Sequence, residues 1–203
     1  MAEQLSSQTA DGGSIPTSPL QKSAWRVKPQ GMDDARNMVE RYHYSHTSPY
    51  PFGTRIHGLF RQSGEPRAFG TVWWHIANKP LSVQLYPRAW KRVLNLSRMV
   101  IVPEAPKNSA SFLLRHSIHL LKQEAKWGCL VTFADTWQNH SGAIYRASGW
   151  TYLGLTNPKE VWVDSNQNLV SRRRGKFFTK SEMYKQGHKL LGKFAKHKFV
   201  MYF

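Results

Sequence analysis

The stretch that most narrows the fold of this chain is a strand, a helix and a second strand in immediate succession near its middle. Leu94-Asn95-Leu96-Ser97-Arg98-Met99-Val100-Ile101-Val102 has the character of a central strand and is stopped by Pro103. A loop from Glu104 to Asn108 leads into a long helix in which Leu113, Leu114, Ser117, Ile118 and Leu121 share one packing face, with Gly128 expected to mark its end. Cys129 to Ala134 is then a short apolar run ending at Asp135, the pattern of a buried strand in a parallel pair. Parallel strands need a crossover, and the helix supplies one.

The flanking segments extend this unit. Trp25 and Val27 begin a short strand, and Asp33 and Asp34 open a helix in which Ala35, Met38, Val39 and Tyr42 fall on one face. The helix runs into the loop Tyr42-His43-Tyr44-Ser45-His46-Thr47-Ser48-Pro49, interrupted again by Pro51. Strands over about 55–62 and 67–76, joined at Gln62-Ser63-Gly64-Glu65, read as an antiparallel hairpin, and 79–92 reads as a connection. Past Asp135 a short helix is expected around 141–148, a strand over Trp150 to Leu155, and another over 159–164 that turns at Asp164-Ser165-Asn166. Residues 1–23 are rich in Ser, Gln, Thr, Gly and Pro and offer little to bury, which predicts a disordered tail ahead of a single domain over 24–203. Strands and helices in this order predict an α+β domain with a mixed central sheet flanked by helices.

Charge limits the partners. The 203 residues carry 29 Lys and Arg against 12 Asp and Glu, a formal net charge of +17, a field that attracts polyanions and nucleic acid above all. Residues 172–198 hold ten Lys or Arg and one acid, Glu182, interleaved with Phe177, Phe178, Tyr184, Leu190, Leu191 and Phe194. That composition predicts a basic, partly helical C-terminal element over about 172–203 that follows phosphates; a merely solvated helix is the plainer reading. The one cysteine, Cys129, excludes an internal disulfide framework and a multi-cysteine zinc site. No segment approaches the roughly 18 unbroken apolar residues of a membrane span, and the first 30 residues lack the order of a signal peptide. A cytoplasmic protein with no membrane partner is expected.

Two stretches carry chemistry. A helix N-terminus offers free N–H groups to phosphate, and here Lys107, Ser109 and Ser111 stand around one; Ser109 could equally be an ordinary cap. Leu96-Ser97-Arg98-Met99-Val100 followed by that helix start is similar to the segment with which GNAT acetyltransferases hold the phosphates of their acyl donor. The Gly-rich turn of those enzymes is replaced by Ala105, Pro106, Asn108 and Ala110, which counts against acetyl-CoA as donor. In Asp135-Thr136-Trp137-Gln138-Asn139-His140-Ser141-Gly142-Ala143-Ile144-Tyr145, Asp135 is placed to act as a base or to hold an amine, although Asp also favours turns. G-x-I-Y-x-x-x-G-W resembles the acetyltransferase helix that presents a tyrosine, here Tyr145, as proton donor beside a splayed strand.

Taken together, His43-Tyr44-Ser45, Leu96-Ser97-Arg98, the helix start from Ser109 to Ser111, Ala134-Asp135-Thr136 and Gly142-Ala143-Ile144-Tyr145 resemble the Mom family of phage DNA-modification proteins, over roughly residues 25–180. The resemblance implies a GNAT-like fold and conversion of the exocyclic amine of adenine, in double-stranded DNA in a bacterial host, to an N6-carbamoylmethyl group that protects phage DNA from restriction. It implies a cleft with Asp135, Tyr145 and His43 as catalytic residues and Arg98, Lys107, Ser109 and Ser111 toward the donor. Tyr42, Tyr44, Ser45, Trp73, Trp137 and Asn139 would contact an extruded adenine. The added group has the atoms of glycine, which makes glycyl-tRNA a candidate donor and tRNA a candidate partner. An iron role has been suggested for the family, and His43 and His46 have a spacing open to metal, but no metal ligand set is predicted. The rival readings are a GNAT acetyltransferase of proteins or small amines and a non-catalytic basic nucleic-acid-binding protein.

Overall fold

The computed structural model describes residues 18–49 and 54–203, with the backbone alone at Arg174. Along them the chain forms β1 (Trp25–Pro29), α1 (Met32–Tyr42), β2 (Arg55–Arg61), β3 (Ala68–Ile76), α2 (Lys79–Leu85), β4 (Val93–Ile101), α3 (Ser109–Gln123) and β5 (Cys129–Asp135). There follow α4 (Ala143–Ala147), β6 (Thr151–Leu155), β7 (Lys159–Val163), β8 (Leu169–Val170), β9 (Arg173–Arg174), β10 (Lys176–Phe177), α5 (Lys180–Lys185), β11 (Lys189–Phe194) and β12 (Lys196–Tyr202).

The helices α1 and α3 arise where the pattern predicts. In α1, Asp33 and Asp34 complement the positive end of the dipole while Ala35, Met38 and Val39 are buried. In α3, Leu113, Leu114, Ser117, Ile118 and Leu121 form the buried stripe. This helix stops short of Gly128: Gln123 is its last residue, and Ala125 takes the left-handed turn with φ 51°. Gly128 serves packing instead, since a Cβ there would lie 2.7 Å from the ring of Tyr86.

Seven strands form one sheet in the order β1-β2-β3-β4-β5-β12-β6. Only β4 and β5 pair in parallel; every other neighbouring pair is antiparallel. The expected α+β architecture, a mixed central sheet flanked by helices, is the observed one. Its core includes Trp73, Trp74, Leu94, Leu113, Leu121 and Leu130, each fully buried, and a large apolar side chain so buried contributes on the order of 2 kcal/mol.

Three expectations need correction. The connection over 79–92 contains α2, started by Asn78, whose side chain accepts the Leu81 N–H at 3.0 Å, with Pro80 tolerated in the first turn. The basic C-terminal element is mostly strand: only α5 is helical, β11 joins β7 and β8 in a separate three-stranded sheet, and β12 enters the central sheet between β5 and β6. Of the expected tail, residues 1–17 lie outside the described residues. Residues 18–20 lie against the α3 entry loop, where the Leu20 N–H donates to Lys107 O at 3.0 Å and the Lys107 N–H to Ser18 O at 3.1 Å. The loop after α1 is described as far as Pro49, so Pro51 also falls outside.

Candidate active site

The parallel pairing of β4 and β5 runs from Val93 opposite Cys129 to Leu96 opposite Thr132 and ends there. Beyond that point β4 continues to Ile101 and β5 to Asp135, and the strands part around a cleft of about 620 Å³. Ser97, Arg98 and Ala134 line it from the strands, and Tyr44 and Tyr145 from the flanking elements. Side chains alternate along β5, so Thr132 and Ala134 face one side of the sheet and Phe133 and Asp135 the other. Tyr145 lines the cleft directly, whereas Asp135 is not among its lining residues and meets it through the hydroxyl of Tyr44.

Asp135 is 6% exposed at the carboxyl end of β5. Its two oxygens have separate partners: the Tyr44 hydroxyl donates to Oδ2, and the Lys196 ammonium lies 2.7 Å from Oδ1. Register places Lys196 there, for it is the residue of β12 opposite Asp135. Burial, then the hydrogen bond to Asp135, raises the Tyr44 pKa far above the ordinary phenol range, so Tyr44 keeps its proton. Its ring stacks at 4.2 Å on His43 and meets Trp137 and His140 edge-on at 5.8 and 5.7 Å.

His43 is 8% exposed, and its Nδ1 accepts the Ser45 N–H at 3.1 Å with the Ser45 hydroxyl at 2.8 Å. Burial, reinforced by the nearby Arg98 charge, lowers its pKa to about 3. The imidazole is neutral, and with Nδ1 an acceptor its proton sits on Nε2, which makes it a hydrogen-bond donor rather than a base. Ser45, expected to touch substrate, is buried behind His43 and fixes this tautomer. Arg98 pins the same loop: Nε donates to Thr47 O at 2.9 Å, one terminal nitrogen to Ser97 O at 2.7 Å and the other to Thr47 Oγ1 at 3.3 Å. Burial lowers the Arg98 pKa, opposed by Tyr44 and Asp135.

On the other face, Tyr145 is 8% exposed, with its ring 5.3 Å from Phe199 and 5.7 Å from Trp150. Burial raises its pKa, a hydrogen bond with Thr132 works against this, and the Asp135 charge adds to the rise. It stays protonated and can donate. Gly142 caps α4 at φ 72°, where a Cβ would strike the Phe199 ring at 2.3 Å.

Not every expected residue reaches the cleft. Tyr42 and Asn139 line it, as do Gln138 and His140, neither of which is expected there from the sequence. Trp73 is a correction: it is fully buried in the core and cannot stack on a base. Trp137 is half-buried and stands behind Tyr44. At the α3 entry, Lys107 is exposed; the Ser109 hydroxyl donates back to Pro106 O at 2.7 Å and that of Ser111 to Asn108 O at 3.0 Å. None of the three is among the cleft-lining residues. Asn108, however, takes φ 69°, so the left-handed turn that glycine would provide is formed without glycine. The His43 and His46 pair does not fit iron: His43 spends its Nδ1 lone pair on the Ser45 N–H and presents N–H at Nε2, so His46, whose Nδ1 donates to Glu40 O at 2.7 Å, has only its own Nε2 to offer. Among the described residues no group of three or more His, Cys, Asp or Glu side chains is arranged to hold a metal ion.

Comparison with known proteins adds the lineage. Residues 24–202 match the model described as the Mom protein family. No curated protein matches the chain. Solved structures share its fold: the Escherichia coli ribosomal-protein-S18-alanine N-acetyltransferase, 10% identical, superposes with a TM-score of 0.52 over 88% of this chain and 93% of that one. A GNAT-family acetyltransferase from Streptococcus pneumoniae is 11% identical with a TM-score of 0.53 over 88% of this chain and 99% of that one. A Bacillus subtilis acetyltransferase solved in complex with CoA is 7% identical with a TM-score of 0.53 over 88% of this chain and 97% of that one.

Proposed function

The chain belongs to the Mom protein family, and from that premise we propose that it is a DNA-modifying transferase that converts adenine in phage DNA to N6-carbamoylmethyladenine and so shields the DNA from restriction. One observation carries the reading: Tyr145, a phenol that keeps its proton, lines the cleft, and so does Tyr44, whose hydroxyl donates to Asp135, a carboxylate also held by the Lys196 cation.

Asp135 and Tyr145 meet what the reaction demands. The adenine amine is a poor nucleophile because its lone pair is delocalised into the ring, so it needs a base and an activated acyl group. With a glycyl ester of tRNA as donor, the N6 nitrogen attacks the ester carbonyl and its proton passes to Asp135. The carbon–oxygen bond to the ribose breaks, and Tyr145 protonates the departing oxygen. The Nε2–H of His43 and the free N–H groups of Arg98 face the negative charge that builds on the carbonyl oxygen. The product, a glycyl amide of adenine, is an isomer of carbamoylmethyladenine. Attack of the glycyl amine on ring C6 and departure of the amide nitrogen interconverts them with no further reactant. Double-stranded DNA and tRNA are the partners of this proposal, and the net charge of +17 supports two polyanions. Among the described residues no helix is long and apolar enough to cross a membrane.

Mass spectrometry of nucleosides from plasmid DNA of expressing cells tests the reading. A deoxyadenosine heavier by the carbamoylmethyl group, absent with Asp135→Ala, is expected. With purified protein, glycyl-tRNA rather than acetyl-CoA should support transfer. The left-handed turn at Asn108 gives the CoA arm a specific basis, because it keeps the phosphate-loop backbone. Acetylation from CoA would identify the protein as an acetyltransferase and sink the DNA-modification proposal.

A further inference from the structure

A second cavity, of about 440 Å³, lies beside the first on the Asp135 face of the sheet, with Phe133 lining both. Its walls include Phe133, Phe194, His75, Asn95 and Leu81, and Lys196 and Lys159 also border it. Lys196 is the residue whose ammonium holds Asp135, so the cavity and the carboxylate meet at one side chain.

We propose that this second cavity is a nucleobase site that receives an adenine extruded from a nucleic acid bound to the protein; the proposal rests on the reading above. Its volume falls in the range of sites that enclose one small ligand, which suits a single base. Aromatic walls suit base stacking, which tolerates any base, and so do not by themselves select adenine. Selection has a source in His75 and Asn95. Asn95 Nδ2 lies 3.3 Å from His75 Nε2, and the other polar atoms of the pair, Asn95 Oδ1 and His75 Nδ1, have no hydrogen-bond partner among the described residues and are closed to solvent, so a base meets them only by displacing the side chains that cover them. With the amide donating to Nε2, the imidazole proton sits on Nδ1, so the unmet groups are one acceptor and one donor. Adenine offers the complementary set on either polar edge, an amine donor beside a ring-nitrogen acceptor. Leaving such groups unmet in a core is costly, and a ligand that satisfies them recovers the loss. Lys196, 46% exposed in its side chain, and the exposed Lys159 are cations within reach of a phosphate at the cavity mouth.

The adenine could belong to the DNA target or to the 3′ end of the tRNA donor. The experiment uses the full chain with 2-aminopurine, which brightens on unstacking, at the target position of a duplex oligonucleotide in one arm and at the 3′-terminal nucleotide of a tRNA in the other. Leu81→Trp fills the cavity without touching the cleft, and Lys159→Glu opposes phosphate at its mouth while leaving the fold alone. Overall binding is followed through a dye at the far end of each nucleic acid. The expected result is a rise in emission in one arm that identifies the source. In that arm either variant should weaken the 2-aminopurine response about tenfold, while Leu81→Trp changes dye-reported affinity by less than about threefold. An emission change unaffected by both variants, or none in either arm while the wild-type protein still modifies plasmid DNA, would overturn the nucleobase site and leave the DNA-modifying reading intact.

Discussion

Asp135 is held by two groups that act differently on its chemistry. Lys196 places a cation 2.7 Å from Oδ1, while Tyr44 supplies a hydrogen bond to Oδ2 that fixes the direction of the free lone pairs. Asp135→Asn keeps the shape and removes the base, so carbamoylmethyladenine per plasmid should fall by at least about 100-fold with no loss of DNA binding. An undiminished yield would remove Asp135 from the role of base. Buried imidazoles make a second prediction. His43 and His57 have pKa values near 3 and 4, each lowered chiefly by burial, so the unfolded chain takes up protons that the folded chain refuses. Their contribution to stability is complete above pH 6.5 and is lost as pH falls from there toward those values, by about 1.4 kcal/mol per pH unit for each. Urea unfolding between pH 7 and about 5 should show the midpoint dropping, and a flat midpoint would refute two neutral buried histidines.

At the scale of elements, α4 is tied to the sheet through a glycine. Gly142→Ala would meet both the Phe199 ring at 2.3 Å and an unfavourable φ of 72°, whereas Gly149→Ala has a similar φ of 78° but nothing within 4 Å. Gly149→Ala should therefore cost about 1 kcal/mol in urea unfolding and Gly142→Ala about 2–4 kcal/mol, with modification lost in the latter because Tyr145 rests on the same ring. The contrast also marks what sequence can convey. The strand-helix-strand unit was legible because Leu113, Leu114, Ile118 and the run from Cys129 to Ala134 signal their environment locally. The approximate positions of Asp135 and Tyr145 followed from it. Lys196 was hidden: 61 residues separate it from Asp135, and only the register of β12 brings them together. Trp73 was misplaced because an aromatic side chain that packs a core and one that stacks on a base have the same pattern in sequence. The conformation of the turn before α3 was likewise hidden in sequence, since Asn108 takes the left-handed geometry without a glycine.

For the whole molecule, charge separates holding a polyanion from acting on it. Phe177 and Tyr184 are exposed among the cations between β9 and β11, a surface suited to phosphate and base contact. Affinity for duplex DNA should fall steeply with salt, by about 10³-fold or more between 50 and 200 mM if six or more phosphates are engaged. Changing Lys176, Lys180 and Lys185 to Glu should flatten that slope, measured by fluorescence anisotropy. The position of β12 has a consequence for the newborn chain. Translation reaches this strand after the other elements described above, yet it is the seam joining β5 to β6, the support of Tyr145 through Phe199 and the source of the cation on Asp135. A nascent chain that has already made both reactive side chains still lacks the strand that sets them against each other. The candidate site of the nascent chain is thus unassembled until β12 has been made and has closed the seam between β5 and β6.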